Sequence, residues 1–232
     1  MSVVPPVLSC TETEQKWHKP RTMGVKPGPV NAMVVVKAKP GATATTGIRF
    51  ICLSFCANIS EQLHLHSLRV TWPQSRHIEV STRVQSATPE WHLLRRERVT
   101  ASHFREVCHV RGEKSAENLA ERILRGTKQT VLMKRGLDME SGALKEYAAM
   151  KNLNLSQCGP VIHPDAPWLG ASPDGLIYDP LERPKCGLVE MKCPNVQSYI
   201  DCGYLTVDQG QHKLKESHAY YWQVQGQLLV TE

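Results

Sequence analysis

Hydrophobic and polar positions divide the chain into two parts of different regularity. Up to residue 87 prolines are frequent, and neither a helical nor a strand period lasts beyond a few residues. The short apolar runs 33–36 and 48–55 can form strands, but no nearby segment is patterned to pair with them. We therefore expect residues 1–87 to form a poorly ordered extension.

From Thr88 onward the pattern becomes helical. Thr88 stands before Pro89, and an N-cap residue followed by proline at the first helical position predicts a helix that runs through Arg95. Further helices are expected over residues 102–108, 115–125, 133–151, 199–204 and 218–229. The domain is therefore placed at residues 88–232.

The helix over 133–151 carries an acid inside its apolar stripe. Met133, Leu137, Leu144 and Tyr147 recur at helical spacing, and Glu140 falls among them. A carboxylate on a buried helix face is costly unless it has a partner. Two interpretations stay open here: a functional acid, or a glutamate at the margin of the core that reaches solvent.

Beyond this helix the period changes from helical to extended. Short apolar runs bounded by glycine or proline predict strands over 159–163, 175–178 and 187–192. Helices, then strands, then a closing helix indicate an α/β fold with a mixed central β-sheet flanked by helices.

Charge is distributed unevenly over the predicted domain. The chain has a net charge of +6, but from Thr88 onward 18 Lys and Arg balance 18 Asp and Glu. Between Arg95 and Arg135, 11 basic residues stand against 5 acidic ones. A basic surface beside an acidic pocket suits a protein that binds phosphate and a cation, although a solvated helix surface has the same composition.

The cysteines and apolar runs bear on location. The chain has 8 cysteines without a C-x-x-C pair, and no secretory signal precedes them. We expect reduced thiols in an intracellular protein, nuclear or cytoplasmic. Zinc is the competing interpretation, but no ligand pair repeats. The apolar runs are too short to cross a bilayer, so no membrane partner is expected.

An acid and an amine share one face of an apolar strand. Glu190 and Lys192 are two residues apart, so they project together while Met191 points the other way. Metal-assisted phosphodiester hydrolysis accounts for this pair. The carboxylate binds a cation such as Mg²⁺, and the ammonium positions water or stabilises charge on the phosphate.

A hard cation requires further oxygen ligands. Asp174 lies in the turn Ser172-Pro173-Asp174-Gly175, directly before the strand 175–178. If that strand pairs with 187–192, Asp174 and Glu190 meet at one end of the sheet. The main-chain carbonyl of Met191 can add another oxygen.

Five ordered blocks in the last 140 or so residues carry a family resemblance. They are W-H-L-L-R with V-T-A-S (91–102), G-L-D-M-E-S-G-A (136–143), S-P-D-G-L (172–176), L-V-E-M-K-C-P (188–194) and Y-W-Q-V-Q-G-Q (221–227). In this order they resemble the YqaJ viral recombinase family, relatives of phage lambda exonuclease within the PD-(D/E)xK nuclease superfamily. The resemblance implies a restriction-endonuclease-like core. Family members continue into further strands after the last block, so it also implies a C-terminally truncated, incomplete domain.

The resemblance also implies roles for individual residues. Asp174 and Glu190 would bind the metal, Lys192 would be the catalytic lysine, and Glu140 would act near the metal, directly or through water. Gln223 would reach the site from the last helix. Gln223 and Gln227 share one flank of that helix, whereas Gln225 points elsewhere and is expected to satisfy buried main chain.

The DNA 5′ phosphate would be gripped at the start of the domain. Arg95 and Ser102 match the family's phosphate-binding positions, and Arg98 lies nearby. A helix that opens at Ser102 would present free N–H groups to an anion. The structural alternatives are an N-cap role for Ser102 and surface charge for the arginines.

Together these features predict an enzyme: a Mg²⁺-dependent deoxyribonuclease, with Mn²⁺ as a substitute. It would be an exonuclease acting from a 5′ end of duplex DNA in recombination, repair or processing. The alternatives are a catalytically inactive DNA-binding relative and an endonuclease with the same site. The resemblance implies a homo-oligomer, a trimer, and the sequence identifies no recombinase partner.

Overall fold

The computed structural model describes residues 13–16, 32–38, 58–208 and 210–231. The α-helices within this part of the chain are α1 (Ile59–Ser67), α2 (Trp72–Ser81), α3 (Pro89–Arg96), α4 (Phe104–His109), α5 (Glu113–Arg125), α6 (Val131–Lys151) and α7 (Ala219–Thr231). The strands are β1 (Thr13–Lys16), β2 (Ala32–Ala38), β3 (Val99–Thr100), β4 (Asn154–Ser156), β5 (Val161–Ile162), β6 (Leu169–Ala171), β7 (Gly175–Tyr178), β8 (Cys186–Lys192), β9 (Leu205–Asp208) and β10 (Gln211–Leu214). Short 3-10 turns span Gln85–Ala87, Ala101–His103 and Tyr199–Asp201.

The strands form three sheets. The largest has the order β1-β2-β8-β7-β4, and each described pair in it is antiparallel. The pair β9-β10 is a separate antiparallel ribbon, and the small sheet β3-β6-β5 contains one parallel pair. The α/β class is confirmed, and a mixed sheet is present, but it is the small sheet β3-β6-β5; the described pairs of the large sheet are antiparallel. The short loop 179–185 between β7 and β8 permits only an antiparallel return, because parallel strands need a long crossover.

Strand β8 lies between β7 and β2. Val189 stands opposite Gly175 of β7, which confirms the predicted pairing of the strands that begin at residues 175 and 187. The apolar run 33–36 lies in β2 and pairs with β8, although the sequence offered no partner for it. The other predicted N-terminal strand, 48–55, lies outside the described residues.

Helix α6 covers one face of this sheet with its C-terminal half. Ala143, Leu144 and Tyr147 pack against Val189 and Met191 in one buried cluster. The N-terminal half is different, because Met133 and Leu137 of the predicted stripe are 51% and 45% exposed. The sequence stripe was therefore wrong over the first two turns, whose apolar side chains are largely exposed.

Helix α7 packs on the opposite side and joins two apolar clusters. Val224 and Leu228 pack with Leu188 of β8. Val230 belongs to another cluster with Phe104. Helix α7 comes so close to Phe104 that a Cβ added at Gly226 would lie 2.5 Å from the Phe104 ring.

Residues 58–87 also belong to the folded part, which corrects the prediction of a poorly ordered extension over this stretch. Helix α2 begins with a capping box of Thr71 and Gln74, with proline in its first turn. Ser75 is buried and its hydroxyl donates to the carbonyl of Ile162 at 2.5 Å. Pro73 lies in the first turn of α2, where proline is compatible with a helix start.

The remaining helix predictions are confirmed except over 199–204, and the helix ends differ from the predicted ends by a few residues. Thr88 precedes α3, but its hydroxyl makes no capping hydrogen bond. The region 199–204 holds only the 3-10 turn before β9. None of the helices described here combines the length and the apolar character needed to cross a membrane.

Candidate active site

The β7–β8 hairpin brings the turn of Asp174 to the end of β8. Oδ2 of Asp174 accepts a hydrogen bond from the main-chain N–H of Met191 at 2.5 Å. In an antiparallel ladder the N–H and C=O of one residue point to the same neighbouring strand, so the Met191 carbonyl also lies on the Asp174 side. The two oxygen ligands predicted for a cation, the Asp174 carboxylate and the Met191 carbonyl, therefore lie on the same side of β8.

Glu190 and Lys192 project from β8 on the same side and form an ion pair between Oε1 and Nζ. Glu190 is only 3% exposed. The Lys192 ammonium also lies 4.9 Å from the centre of the Tyr220 ring. Met191, between them, packs in the cluster on the opposite side, as strand alternation predicts.

Two glutamines of α7 hold the carboxylate of Glu190. Nε2 of Gln223 donates to Oε1 at 2.5 Å, and Nε2 of Gln227 donates to Oε2 at 2.6 Å. The prediction that they share a flank of the helix is confirmed. The sequence predicted only Gln223 as a site residue, although its four-residue spacing from Gln227 indicated that Gln227 lies on the same flank. The predicted role of Gln225 stays a prediction.

Negative charge accumulates around this pocket. Burial, followed by repulsion from Glu190, raises the pKa of half-buried Glu140 to about 7. The same two causes raise the pKa of Asp174 well above its usual range. Burial lowers the pKa of Lys192, but the charges of Glu190 and Asp174 outweigh it, so that pKa lies above its ordinary value. Lys192 is therefore an ammonium ion.

Arg95 lies close to the same carboxylates. Burial lowers the pKa of its guanidinium, and the charges of Glu190 and Asp174 oppose that change. The guanidinium carbon stands 4.2 Å from the centre of the Trp91 ring, and the indole N–H of Trp91 donates to Oγ of Ser172 at 2.9 Å. Trp91, which was not predicted as a site residue, thus links Arg95 to the turn of Asp174.

The structure separates Arg98 from this cluster. Its three guanidinium nitrogens donate to the carbonyls of Pro167, Leu94 and Leu68 at 2.8, 3.0 and 3.1 Å. The residue is 6% exposed. These donors point into the protein, which favours a structural role for Arg98, and its predicted binding of phosphate stays a prediction.

Ser102 does not open a helix. It lies within the 3-10 turn Ala101–His103 that precedes α4, and its hydroxyl is 3.0 Å from the hydroxyl of Thr100. The predicted N-cap role is wrong, and the anion-binding argument built on a helix start at Ser102 does not hold. The side chain itself is exposed.

The donors suit a hard cation but do not form a complete cage. Among residues 58–208 and 210–231, no three His, Cys, Asp or Glu side chains are arranged to hold a metal ion. Mg²⁺ commonly takes one or two carboxylates and fills its shell with water and substrate phosphate. Buried carboxylates that repel one another, with the Met191 carbonyl beside Asp174, fit that requirement.

The chain is similar to solved exonuclease structures and matches one family model. A solved alkaline exonuclease from Laribacter hongkongensis, LHK-Exo, is similar at 32% identity over 62% of this chain and 69% of that chain, with a TM-score of 0.46. The LHK-Exo complex with dAMP gives 27% identity over the same shares and a TM-score of 0.45. No curated protein matches the chain. The sequence model of the YqaJ-like viral recombinase domain matches residues 90–232, and the chain belongs to that family.

Proposed function

We propose that the chain is a divalent-cation-dependent deoxyribonuclease that removes nucleotides from a 5′ end of duplex DNA. Two neighbouring contacts at one end of the β7–β8 hairpin support the proposal: Asp174 accepts from the main-chain N–H of Met191, and Glu190 pairs with Lys192. Two carboxylates and an ammonium in a buried pocket are the groups that metal-assisted phosphodiester hydrolysis requires.

The cation would be held by Asp174, Glu190 and the Met191 carbonyl, with Glu140 acting through water. When bound there, Mg²⁺ or Mn²⁺ would supply Lewis-acid polarisation of the phosphodiester. Lys192 contributes a fixed positive charge for the charge that develops on the phosphate. Gln223 and the buried Gln227 fix the orientation of the Glu190 carboxylate.

The preference for a 5′ end would come from Arg95. Its guanidinium lies over the Trp91 ring and close to the metal-binding carboxylates. A planar guanidinium can bind the oxygens of a terminal phosphate through two hydrogen bonds. The exposed hydroxyl of Ser102 is a second proposed contact to that phosphate.

Cleavage of matched DNA substrates tests the proposal. Linear duplexes with a 5′ phosphate or a 5′ hydroxyl, and covalently closed circles, are incubated with and without Mg²⁺. We expect Mg²⁺-dependent release of nucleotides from the linear DNA, fastest with a 5′ phosphate, and intact circles. Asp174→Asn should abolish cleavage, whereas Asp208→Asn should not, because Asp208 is an exposed carboxylate paired with Lys213.

Each other outcome selects an alternative. Nicking or cutting of closed circles would indicate an endonuclease that uses the same site. DNA binding without cation-dependent cleavage of either substrate would indicate a catalytically inactive DNA-binding relative. Full activity of Asp174→Asn would remove the turn before β7 from the chemistry and contradict the proposal.

A further inference from the structure

Gln85 connects the link between α2 and α3 to two buried main-chain segments. Its carboxamide Nε2 donates to the carbonyl of Cys158 and to the carbonyl of Pro173, both at 2.9 Å. The side chains of Cys158 and Pro173 are fully buried. A donor that reaches two buried carbonyls fixes both segments at once, because unpaired carbonyls in the interior are costly.

One of these carbonyls directly precedes Asp174. The peptide group between Pro173 and Asp174 is therefore anchored by Gln85, while Oδ2 of Asp174 is anchored by the N–H of Met191. The preceding residue, Ser172, accepts a hydrogen bond from the indole of Trp91. Gln85 thus fixes the main chain of the turn that carries the proposed ligand, Asp174.

The backbone of Gln85 supports a specific role for its side chain. Its φ angle is +48°, in the left-handed region that residues other than glycine rarely adopt. Such a conformation persists only where surrounding contacts hold it. Helix α2, which precedes Gln85, is itself bound to the domain by two hydrogen bonds. The Glu79 carboxylate accepts from the N–H of Gly159 at 3.2 Å, and the Ser75 hydroxyl donates to the Ile162 carbonyl.

We propose that Gln85 is a positioning residue that sets the location of Asp174 through the Pro173 carbonyl. The proposal rests on the proposed function, since it assigns Asp174 as a cation ligand. It extends the functional part of the chain to a residue that precedes the family match at residues 90–232. The side chain of Gln85 acts on the turn and touches neither substrate nor cation.

Two substitutions at Gln85 test this proposal against one control. Gln85→Gly removes the carboxamide and suits a positive φ, so relief of the backbone should offset part of the loss in thermal midpoint caused by two unpaired carbonyls. Gln85→Asn keeps an amide in a residue that tolerates the same backbone, but its shorter side chain cannot reach both carbonyls. The control, Ser75→Ala, removes a buried bond between the same segment and the domain at Ile162, away from the turn of Asp174.

The measurements are Mn²⁺ binding by calorimetry and the Mg²⁺ concentration for half-maximal DNA cleavage, both on the full chain. Outer-sphere partners of metal ligands typically change affinity by about 10- to 100-fold, and we expect about tenfold weaker Mn²⁺ binding for both Gln85 variants. Half-maximal cleavage should require correspondingly more Mg²⁺. Ser75→Ala should lower the thermal midpoint and keep wild-type Mn²⁺ affinity.

Unchanged Mn²⁺ affinity in both Gln85 variants would overturn the proposal. Equal weakening in Ser75→Ala would also overturn it, because the effect would then come from docking of the segment. Absence of Mn²⁺ binding by the unaltered chain would remove the ligand role of Asp174 and the proposal with it. If the unaltered chain binds Mn²⁺ but cuts no DNA, the proposed function fails while calorimetry still decides the role of Gln85.

Discussion

The hydrogen bond between Gln227 and Glu190 allows a quantitative prediction. Gln227 is 2% exposed and Glu190 3% exposed, and Nε2 of Gln227 donates to Oε2 at 2.6 Å. Gln227→Met preserves the approximate length and volume of the side chain but removes the donor. Both groups are almost fully buried, so Oε2 loses a hydrogen-bond donor in a buried environment.

The expected magnitude follows from the charge and burial of the acceptor. A hydrogen bond to a charged group contributes about 1.5–3 kcal/mol, so Gln227→Met should lower the free energy of unfolding by about 2 kcal/mol. Gln223 is half-buried, and its acceptor Oε1 also binds Lys192. Gln223→Met should therefore lower it by less than about 1 kcal/mol, because Lys192 and solvent can compensate.

Urea unfolding of the single and double variants without divalent cation measures this difference. The two glutamines share one carboxylate, so their effects should not be additive: the loss of unfolding free energy in the double variant should differ from the sum of the two single losses. Cleavage in Mg²⁺ should fall by about 10- to 100-fold in Gln227→Met, as for other groups that orient a metal ligand. Equal stability of the two single variants would refute the assignment of Gln227 as the buried anchor of Glu190.

Two further predictions concern pH and the two arginines. Because the pKa of Glu140 rises from 4.5 to about 7 on folding, the folded chain binds a proton that the unfolded chain releases. Without cation, the contribution of Glu140 to stability should therefore fall by up to about 3 kcal/mol from pH 4.5 to pH 7. In urea titrations at pH 5 and pH 8, Glu140→Gln should make the decrease smaller, and the raised pKa of Asp174 should preserve part of it. Arg98→Lys should lower the thermal midpoint, because one ammonium cannot reach three carbonyls. Arg95→Lys should mainly reduce the preference for 5′-phosphorylated over 5′-hydroxyl DNA. A loss of this preference in Arg98→Lys and a loss of stability in Arg95→Lys would contradict both assignments.

The parts of the site that are close in sequence could be predicted from it. Strand alternation placed Glu190 and Lys192 on one face, and the short loop before β8 placed Asp174 beside Met191, 17 residues away. Helical spacing placed Gln223 and Gln227 on one flank. In each case a single repeating geometry relates residues within one element or one hairpin.

Contacts that join distant elements could not be predicted in the same way. The segment before Thr88 resembled an extension because prolines are frequent there and no hydrophobic period lasts beyond a few residues. Its contacts to the site depend on bonds such as Gln85 to Pro173, 88 residues apart. Arg98 shows the same difficulty, since the sequence gives its charge but not the three carbonyls that surround it.

The orientation of the site carboxylates depends on residues outside the hairpin that carries them. The proposed ligands lie on the hairpin, but their orientation depends on groups from other elements: Gln227 lies 37 residues from Glu190, and Gln85 lies on the link between α2 and α3. A buried carboxylate without such partners would rotate or take up a proton, because burial disfavours its charge. Retention of Asp174, Glu190 and Lys192 in a sequence therefore does not by itself ensure cleavage; the supporting donors must also be in place.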